Sequence, residues 1–351
     1  MPKIYEYVNA NTIAAYIATQ AGSNKIAYLG PALFPAKKKL GLDLKWIKSH
    51  AGLPVTLAIG AFDAKAPIRG RSGFEVLKTE MPFFREAINI GEQDRQEFLK
   101  VMESGDQYVK AILNKIFDDA ANLVASADVV NERMRMQLLS TGKIVLADKE
   151  GRSLSYDYGF KAANKTTLAG NNMWSNPDAP INAQIEEWKN DIMSATGEEL
   201  RRAVCTRKTL NYLKKNNEIL AELKPLAAAQ AAPIRDANII EWFKSAHNIS
   251  VYTYDKMYTM TVGGTGVKYF PDDVFTLLPE GNLGNTWYGT TPEEADLMSS
   301  QAANVKILNT GVALTTYEEV NPVNVVTQVS EIALPSFERA DLVFIATVHT
   351  A

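Results

Sequence analysis

Nucleophilic and metal-binding chemistry needs Cys, His or carboxylate side chains brought within reach of one another, and this sequence offers few starting points. Its single cysteine, Cys205, stands beside Val204 in an expected strand with no histidine paired to it, the setting of a buried inert thiol rather than a nucleophile. His50, His247 and His349 are scattered, none at helical spacing from a second histidine or from Cys205, so no zinc site of recognisable type is expected. Carboxylates stand side by side at Asp118 and Asp119, Asp272 and Asp273, and Glu293 and Glu294, but sequence neighbours do not face each other on a helix or a strand. Solvated surface or capping is the role expected of them. Gly263, Gly264 and Gly266 lack the lysine and the following helix of a phosphate-cradling loop and read as a turn. Trp46, Trp174, Trp188, Trp242 and Trp287 are dispersed without the interleaved basic patch of a single-strand groove, which leaves packing as their role. No catalytic residue, cofactor or metal is assigned. The missing motifs weigh only moderately against catalysis, because triads assemble from residues far apart in sequence.

The elements that would position a site are clearer. Asp106 to Ser140 carries Val109, Ile112, Leu113, Ile116, Ala120, Leu123, Val124, Ala127, Val130, Met134 and Leu138 in one helical stripe. Asp106 can cap its start and Gly142 stop it, so it would run about 50 Å at 1.5 Å per residue. The stripe lacks sustained heptads, and a one-sided support against a sheet fits better than a coiled coil. Residues 1 to about 45 hold a modest amphipathic stretch, Asn11 to Ala21, and then Gly30, Pro31, Pro35 and the run Lys37, Lys38, Lys39, which reads as a tail or an arm ordered by a neighbour. Strands are expected at Val55–Ile59 and Phe74–Leu77. Between and just beyond them a glycine-broken excursion holds Lys65, Arg69, Arg71 and Lys78 with Asp63, Glu75 and Glu80, and should project from the body. From Ile144 onward strands and short helices alternate: a helix at Asn182–Met193, two more capped by Thr206 and Asp236, and strands at Arg202–Cys205, Ser250–Tyr254, Val274–Leu278 and Asn285–Tyr288. Val312–Glu319, Val323–Leu334 and Asp341–Val348 have the Val, Ile and Thr content of long antiparallel strands. No internal repeat or low-complexity tract is present.

With 351 residues, 46% hydrophobic and 22% charged, the chain can bury a substantial core. Lys and Arg number 37 against 40 Asp and Glu, a formal charge of −3 that lacks the basic excess of a dedicated DNA reader. One cysteine and a start, MPKIYEYVNA, without signal-peptide character point to a reducing cytoplasm. No apolar run approaches the ~20 residues of a membrane span, and no membrane partner is expected.

Three stretches carry a resemblance. They are LFPAKKKLGLDLKWIKSHAGLPVTLA at Leu33–Ala58, YFPDDVFTLLPEGNLGNTWYGTTPEEADL at Tyr269–Leu297 and SEIALPSFERADLVFIATV at Ser330–Val348. In their order and spacing the sequence resembles the lambda-type phage major capsid protein E family end to end. The resemblance implies an α+β Hong Kong 97-like fold. Residues 1–44 would be an N-terminal arm, 45–92 the extended-loop region, 93–160 with 305–351 a peripheral domain holding the spine helix 106–140, and 161–304 a mixed α/β axial domain. It implies a structural protein that assembles with itself into pentamers and hexamers of an icosahedral shell around double-stranded DNA, in the virion, with assembly in the host cytoplasm. A scaffolding protein and a portal are expected partners during assembly, followed by expansion. A separately encoded scaffold is expected because the chain begins at arm-like sequence, and a decoration protein is left open. Inter-subunit contacts are expected at Lys37, Lys38, Lys65, Arg69, Arg71, Glu75, Lys78 and Glu80, from their place in the arm and loop. No motif supports a lysine crosslink. An encapsulin-like compartment and a cytoplasmic α/β enzyme are the competing readings.

Overall fold

The computed structural model describes residues 4–20, 26–48, 53, 75–92, 95–96, 108–147, 153–223, 234–300 and 302–350. The strand expected at Val55–Ile59, together with His50, Lys65, Arg69, Arg71 and Asp106, lies outside them. Helices α1 (Ile4–Tyr7), α2 (Ala10–Gln20) and α3 (Gly30–Leu33) precede strands β1 (Ala36–Lys38), β2 (Asp43–Lys48), β3 (Glu75–Glu80) and β4 (Phe83–Ile90). The long helix α4 (Tyr108–Thr141) follows, then β5 (Lys143–Ala147), β6 (Ser153–Asp157) and β7 (Lys165–Thr167). The middle of the chain holds α5 (Ile181–Thr196), β8 (Leu200–Cys205), α6 (Arg207–Leu213), α7 (Asn217–Leu223), α8 (Asp236–His247) and β9 (Ser250–Thr253). After β10 (Met257–Thr259), β11 (Gly266–Lys268), β12 (Val274–Pro279) and β13 (Asn285–Tyr288), the chain closes with β14 (Asn304–Leu308), β15 (Val312–Val320), β16 (Val323–Ser336) and β17 (Phe344–Thr347).

Two compact units result, one of Met1–Lys45, Lys78–Arg133 and Asn285–Ser336, the other of Trp46–Leu77, Met134–Gly284 and Phe337–Ala351. The first is organised by β16. Its residues Val325–Ser330 pair antiparallel with β15 on one edge and β4 on the other, and Ala333–Ser336 pair with β13. Strand β14 extends the sheet beyond β15, and β1 runs parallel to β13. Nearly all of β16 is buried, which suits its run of Val and Ile, whose branched side chains fill both faces of a central strand. Helix α4 lays Ala120, Leu123, Val124 and Ala127, spaced i, i+3, i+4 and i+7, on Val312, Leu314, Val325 and Val329 of this sheet. Val8, Ala10 and Ile13 join the same cluster. The amphipathic stretch read in the sequence thus becomes α2, which buries Ala10 and Ile13 and half-buries Ile17 within the unit. Burying a side chain such as Ile13 contributes about 1.5–3 kcal/mol.

The second unit is built on a sheet ordered β7-β17-β12-β8-β9. The closing strand, which sequence grouped with the strands before it, is a member of this sheet, antiparallel to β12 and parallel to β7. It is also shorter than the expected Asp341–Val348, because Ala340–Leu342 forms a 3-10 turn that buries Asp341. Helices α5 and α8 cover the sheet with an aromatic core. Trp174 lies 4.9 Å from Phe275, Trp188 5.2 Å from Phe344 and Phe243 5.7 Å from Phe275, ring to ring. Trp174 Nε1 donates to Gln184 Oε1 at 2.9 Å, which satisfies the one polar atom the ring buries.

Element ends follow side-chain and backbone chemistry. Gly142 stops α4 at φ +74°, and an added Cβ there would meet the Phe160 ring at 2.8 Å. Gly197 ends α5 in the same left-handed conformation. Thr206 caps α6 by accepting from the Thr209 N–H. Asp236 is not the cap expected of it. Helix α8 starts one residue earlier, Arg235 donates its N–H to Asn238 Oδ1 at 3.0 Å, and Asp236 instead pairs with Lys214 and Arg207.

Candidate assembly surface

Adjacent carboxylates in the first unit show how side chains that cannot face each other are used. Glu293 and Glu294 open a short helical turn behind Pro292. Glu293 is 4% exposed and accepts from Arg85 Nη2 at 2.8 Å, Gln328 Nε2 at 2.7 Å and Ser330 Oγ at 2.8 Å. Burial works against its charge, but its own backbone N–H, the Ser330 hydroxyl and the Arg85 guanidinium outweigh that and hold the carboxyl below the ordinary glutamate range. Glu294 points elsewhere and receives Lys38 Nζ. One dipeptide therefore holds β4, through Arg85, and β1, through Lys38. The expectation of a solvated or capping role is corrected for Glu293, because β16 and β4 bring three donors to it from parts of the chain that are distant in sequence.

The residues expected at contacts separate accordingly. Lys37 lies in β1 with its ammonium 5.5 Å from the Trp287 ring centroid, a cation–π distance, and Lys38 is held by Glu294. Strands β2 and β3 pair as a two-stranded sheet. Glu75 opens β3, Lys78 lies 3.6 Å from Asp43 with both side chains exposed, and exposed Glu80 closes the strand. Lys65, Arg69 and Arg71 are outside the described residues. The structure thus brings Lys37 and Lys38 to one strand and Glu75, Lys78 and Glu80 to another, each within mixed charge. What sequence reading missed is the apolar content of these segments. Leu40 is 83% exposed, and Leu42, Ile47, Val76 and Phe83 are exposed as well. Alternation in DLKWIK signals half of it, since β2 buries Leu44, Trp46 and Lys48 and turns Asp43, Lys45 and Ile47 outward. Ile47 therefore stands outward with Lys45 and Asp43 on the charged face of the strand.

The far end of β2 is pinned within the second unit. Lys48 is 4% exposed, donates to the Gly159 carbonyl at 2.5 Å and lies 3.5 Å from Asp341, which is itself buried and 3.0 Å from Lys161. Such a buried pair is costly to break from one side. Side chains singled out for chemistry are occupied structurally. The Cys205 thiol is buried, and burial raises its pKa well above the ordinary thiol value. His247 is wedged between Glu186, 2.6 Å from Nδ1, and Asn182, 3.0 Å from Nε2, with the Trp242 ring edge-on. Asp272 takes Lys268 and Thr206 while Asp273 takes Lys208 and Tyr212, so this pair also diverges.

The chain is a two-unit α+β protein with a long one-sided helix beneath an antiparallel sheet and strand pairs that expose aliphatic residues among mixed charges, and solved structures share its fold. A structure described as a prophage capsid protein of Escherichia coli CFT073 aligns over 97% of this chain and 99% of its own, with a TM-score of 0.60 at 15% identity. The capsid asymmetric unit of cyanophage A-1(L) aligns over 92% of both chains with a TM-score of 0.52 at 11% identity. A phage-related protein of Bordetella bronchiseptica RB50 aligns over 95% of both with a TM-score of 0.50 at 14% identity. No curated protein matches the sequence. A family profile described as phage major capsid protein E matches residues 9–348, and the chain belongs to that family. It has the Hong Kong 97-like fold, and its role is that of a major capsid protein, a structural component of the virion shell that assembles with copies of itself, in a family of structural proteins rather than enzymes.

Proposed function

We propose that copies of this chain close through pentamers and hexamers into the icosahedral head of a tailed bacteriophage and enclose its double-stranded DNA. Assembly takes place in the host cytoplasm with a scaffolding protein and a portal, and yields a precursor that expands later. In this reading residues 1–44 act as an arm that is anchored on its own unit through Val8, Ala10 and Ile13, 45–92 act as an extended loop, and the exposed parts of both meet neighbours. Residues 93–160 and 305–351 act as the peripheral domain, and 161–304 as the axial domain. The observation that carries it is the family match across residues 9–348. Exposed Leu40, Leu42, Ile47 and Val76 support it physically, because many modest apolar contacts between identical tiles add up to a stable closed assembly. Mixed charges such as Lys78, Asp43 and Glu80 would set register rather than supply affinity. A formal charge of −3 leaves a wall that does not grip the genome.

The test is to express the chain with and without the other head proteins of its phage and to examine the product by size-exclusion mass and negative-stain imaging. Uniform shells that appear only in the presence of a scaffold, with nuclease-protected DNA after packaging, are the expected result. Uniform shells at full yield from the chain alone would remove the scaffold from the proposal. Particles that hold a cargo enzyme instead of DNA would replace phage head with compartment, and a chain that stays monomeric under every condition would overturn the reading.

A further inference from the structure

His247 ends α8 and is 5% exposed, so a titratable ring sits inside the helical cover of the second unit, apart from the surface described above. Both of its ring nitrogens face acceptors. Nδ1 lies 2.6 Å from a Glu186 carboxylate oxygen on α5, and Nε2 lies 3.0 Å from Oδ1 of Asn182, one turn earlier on the same helix. The Asn182 amide is not free to turn, because its Nδ2 donates to Glu222 Oε1 of α7 at 3.0 Å. Reversing it would set its carbonyl oxygen against the Glu222 carboxylate. Glu222 is fixed in turn by the Trp242 indole N–H of α8, which donates to its other oxygen at 2.5 Å. A neutral imidazole has one N–H and one lone pair and satisfies only one of two acceptors, whereas the imidazolium, with two N–H donors, satisfies both.

The charges around the ring are of both signs. Glu186 of α5 meets it directly, and Glu222 of α7 meets it through Asn182. The Lys189 ammonium donates to the His247 carbonyl at 2.8 Å and stands 3.5 Å from Glu186. From α8 itself the uncharged rings of Trp242 and Phe243 pack at 5.1 and 5.9 Å. Burial and Lys189 oppose a charged ring, while the two acceptors and the carbonyl end of α8 favour it. Glu186 is held below the ordinary glutamate range, first of all by its hydrogen bond with His247.

We infer that His247 is a proton-operated clamp, a buried imidazolium whose second proton fixes through Asn182 how α7 is tied to α5 beside α8. Loss of the proton from Nε2 leaves a lone pair facing the Asn182 carbonyl oxygen at 3.0 Å. Asn182 must then turn away, which breaks its bond to Glu222 and loosens α7 from α5. One proton thus acts on three helices of the second unit. The inference concerns the fold of a single chain and does not depend on the shell reading.

The test uses the unassembled full chain with isotope-labelled histidine, observed by nitrogen NMR. The His247 ring, assigned by elimination with His50→Gln and His349→Gln, should carry a proton on both nitrogens at neutral pH. Glu222→Gln frees the Asn182 amide to turn without touching the histidine. It should lower the pH at which the ring gives up its second proton by roughly half a unit or more, about a threefold loss of proton affinity. For a histidine held charged by its partners, the stabilisation is complete below about pH 6.5, the ordinary imidazole value, and is lost as the solution is made alkaline. Between about pH 6 and pH 9 the unfolding midpoint of the wild type should therefore fall by roughly 2–4 °C more than that of His247→Gln. Where His247→Gln does not fold, the NMR titrations decide alone. A His247 ring with a bare Nε2 at neutral pH overturns the inference, as does a Glu222→Gln chain whose histidine titrates with the wild type.

Discussion

At the scale of single residues, buried carboxylates matter more here than any group with catalytic potential. Glu293 receives three side-chain donors, so Glu293→Ala leaves Ser330, Gln328 and Arg85 without their acceptor and should destabilise the first unit by about 2 kcal/mol in denaturant unfolding. Because its folded carboxyl lies below the ordinary range, the ionised form contributes stability above the unfolded pKa of about 4.3 and loses it as pH falls through the folded value. Unfolding midpoints of the wild type and Glu293→Gln should therefore differ at neutral pH and converge as the solution is acidified. A difference that grew toward acid would refute the assignment of an ionised Glu293. Asp341→Asn removes the charge that faces Lys48, a lysine 4% exposed, and should cost about 3 kcal/mol, read by chemical denaturation.

At the scale of elements, α4 depends on where it stops as much as on its stripe. Gly142→Ala places a methyl into the Phe160 ring at a backbone angle that L-residues avoid, and should lower stability by about 1–3 kcal/mol, measured as a shift in thermal midpoint. The N-terminal helix α2 adds a second dependence, since Ile13 is fully buried with Leu123 and Val329 around it. Ile13→Ala should cost about 2–5 kcal/mol, and a proteolysis time course should show the first unit opening sooner. A variant with unchanged stability would mean that α2 does not hold this place in solution.

At the scale of the whole molecule, the chain carries exposed aliphatic residues that a free monomer has no use for. Leu40 next to β1, Ile47 in β2, Val76 in β3 and Val262 between β10 and β11 are all turned outward. Isolated exposed aliphatics are ordinary on any protein. On paired strands and hairpins that leave them exposed, they are the places where a neighbouring copy would bury most apolar surface. Ile47→Lys with Val76→Lys should therefore leave the circular dichroism of the unassembled chain unaltered and reduce shell formation in sedimentation assays. Unimpaired shells would place that strand pair outside the contacts.

Part of the fold was legible in local periodicity, and its class in the resemblance to a family, while strands such as β4 carried no signal that was read. The stripe from Val109 to Leu138, the glycine that closes α4, the cap at Thr206 and the Val-rich strands β15 and β16 all act over a few residues, and the structure places these elements within a residue or two of where those signals fall, while α5 and β17 differ by three at one end. The absence of any local motif for chemistry was legible for the same reason. Tertiary structure decided the rest. Glu293 and Glu294 are indistinguishable as neighbours in sequence, yet one is buried among donors from β4 and β16 and the other holds β1. Likewise β17 takes its place beside β12, although its composition matches the strands before it. Periodicity says which side of an element is apolar. Which distant segment meets that side, and which apolar side chains are left facing outward, is settled only when the packed chain has chosen among many pairings of similar local strength.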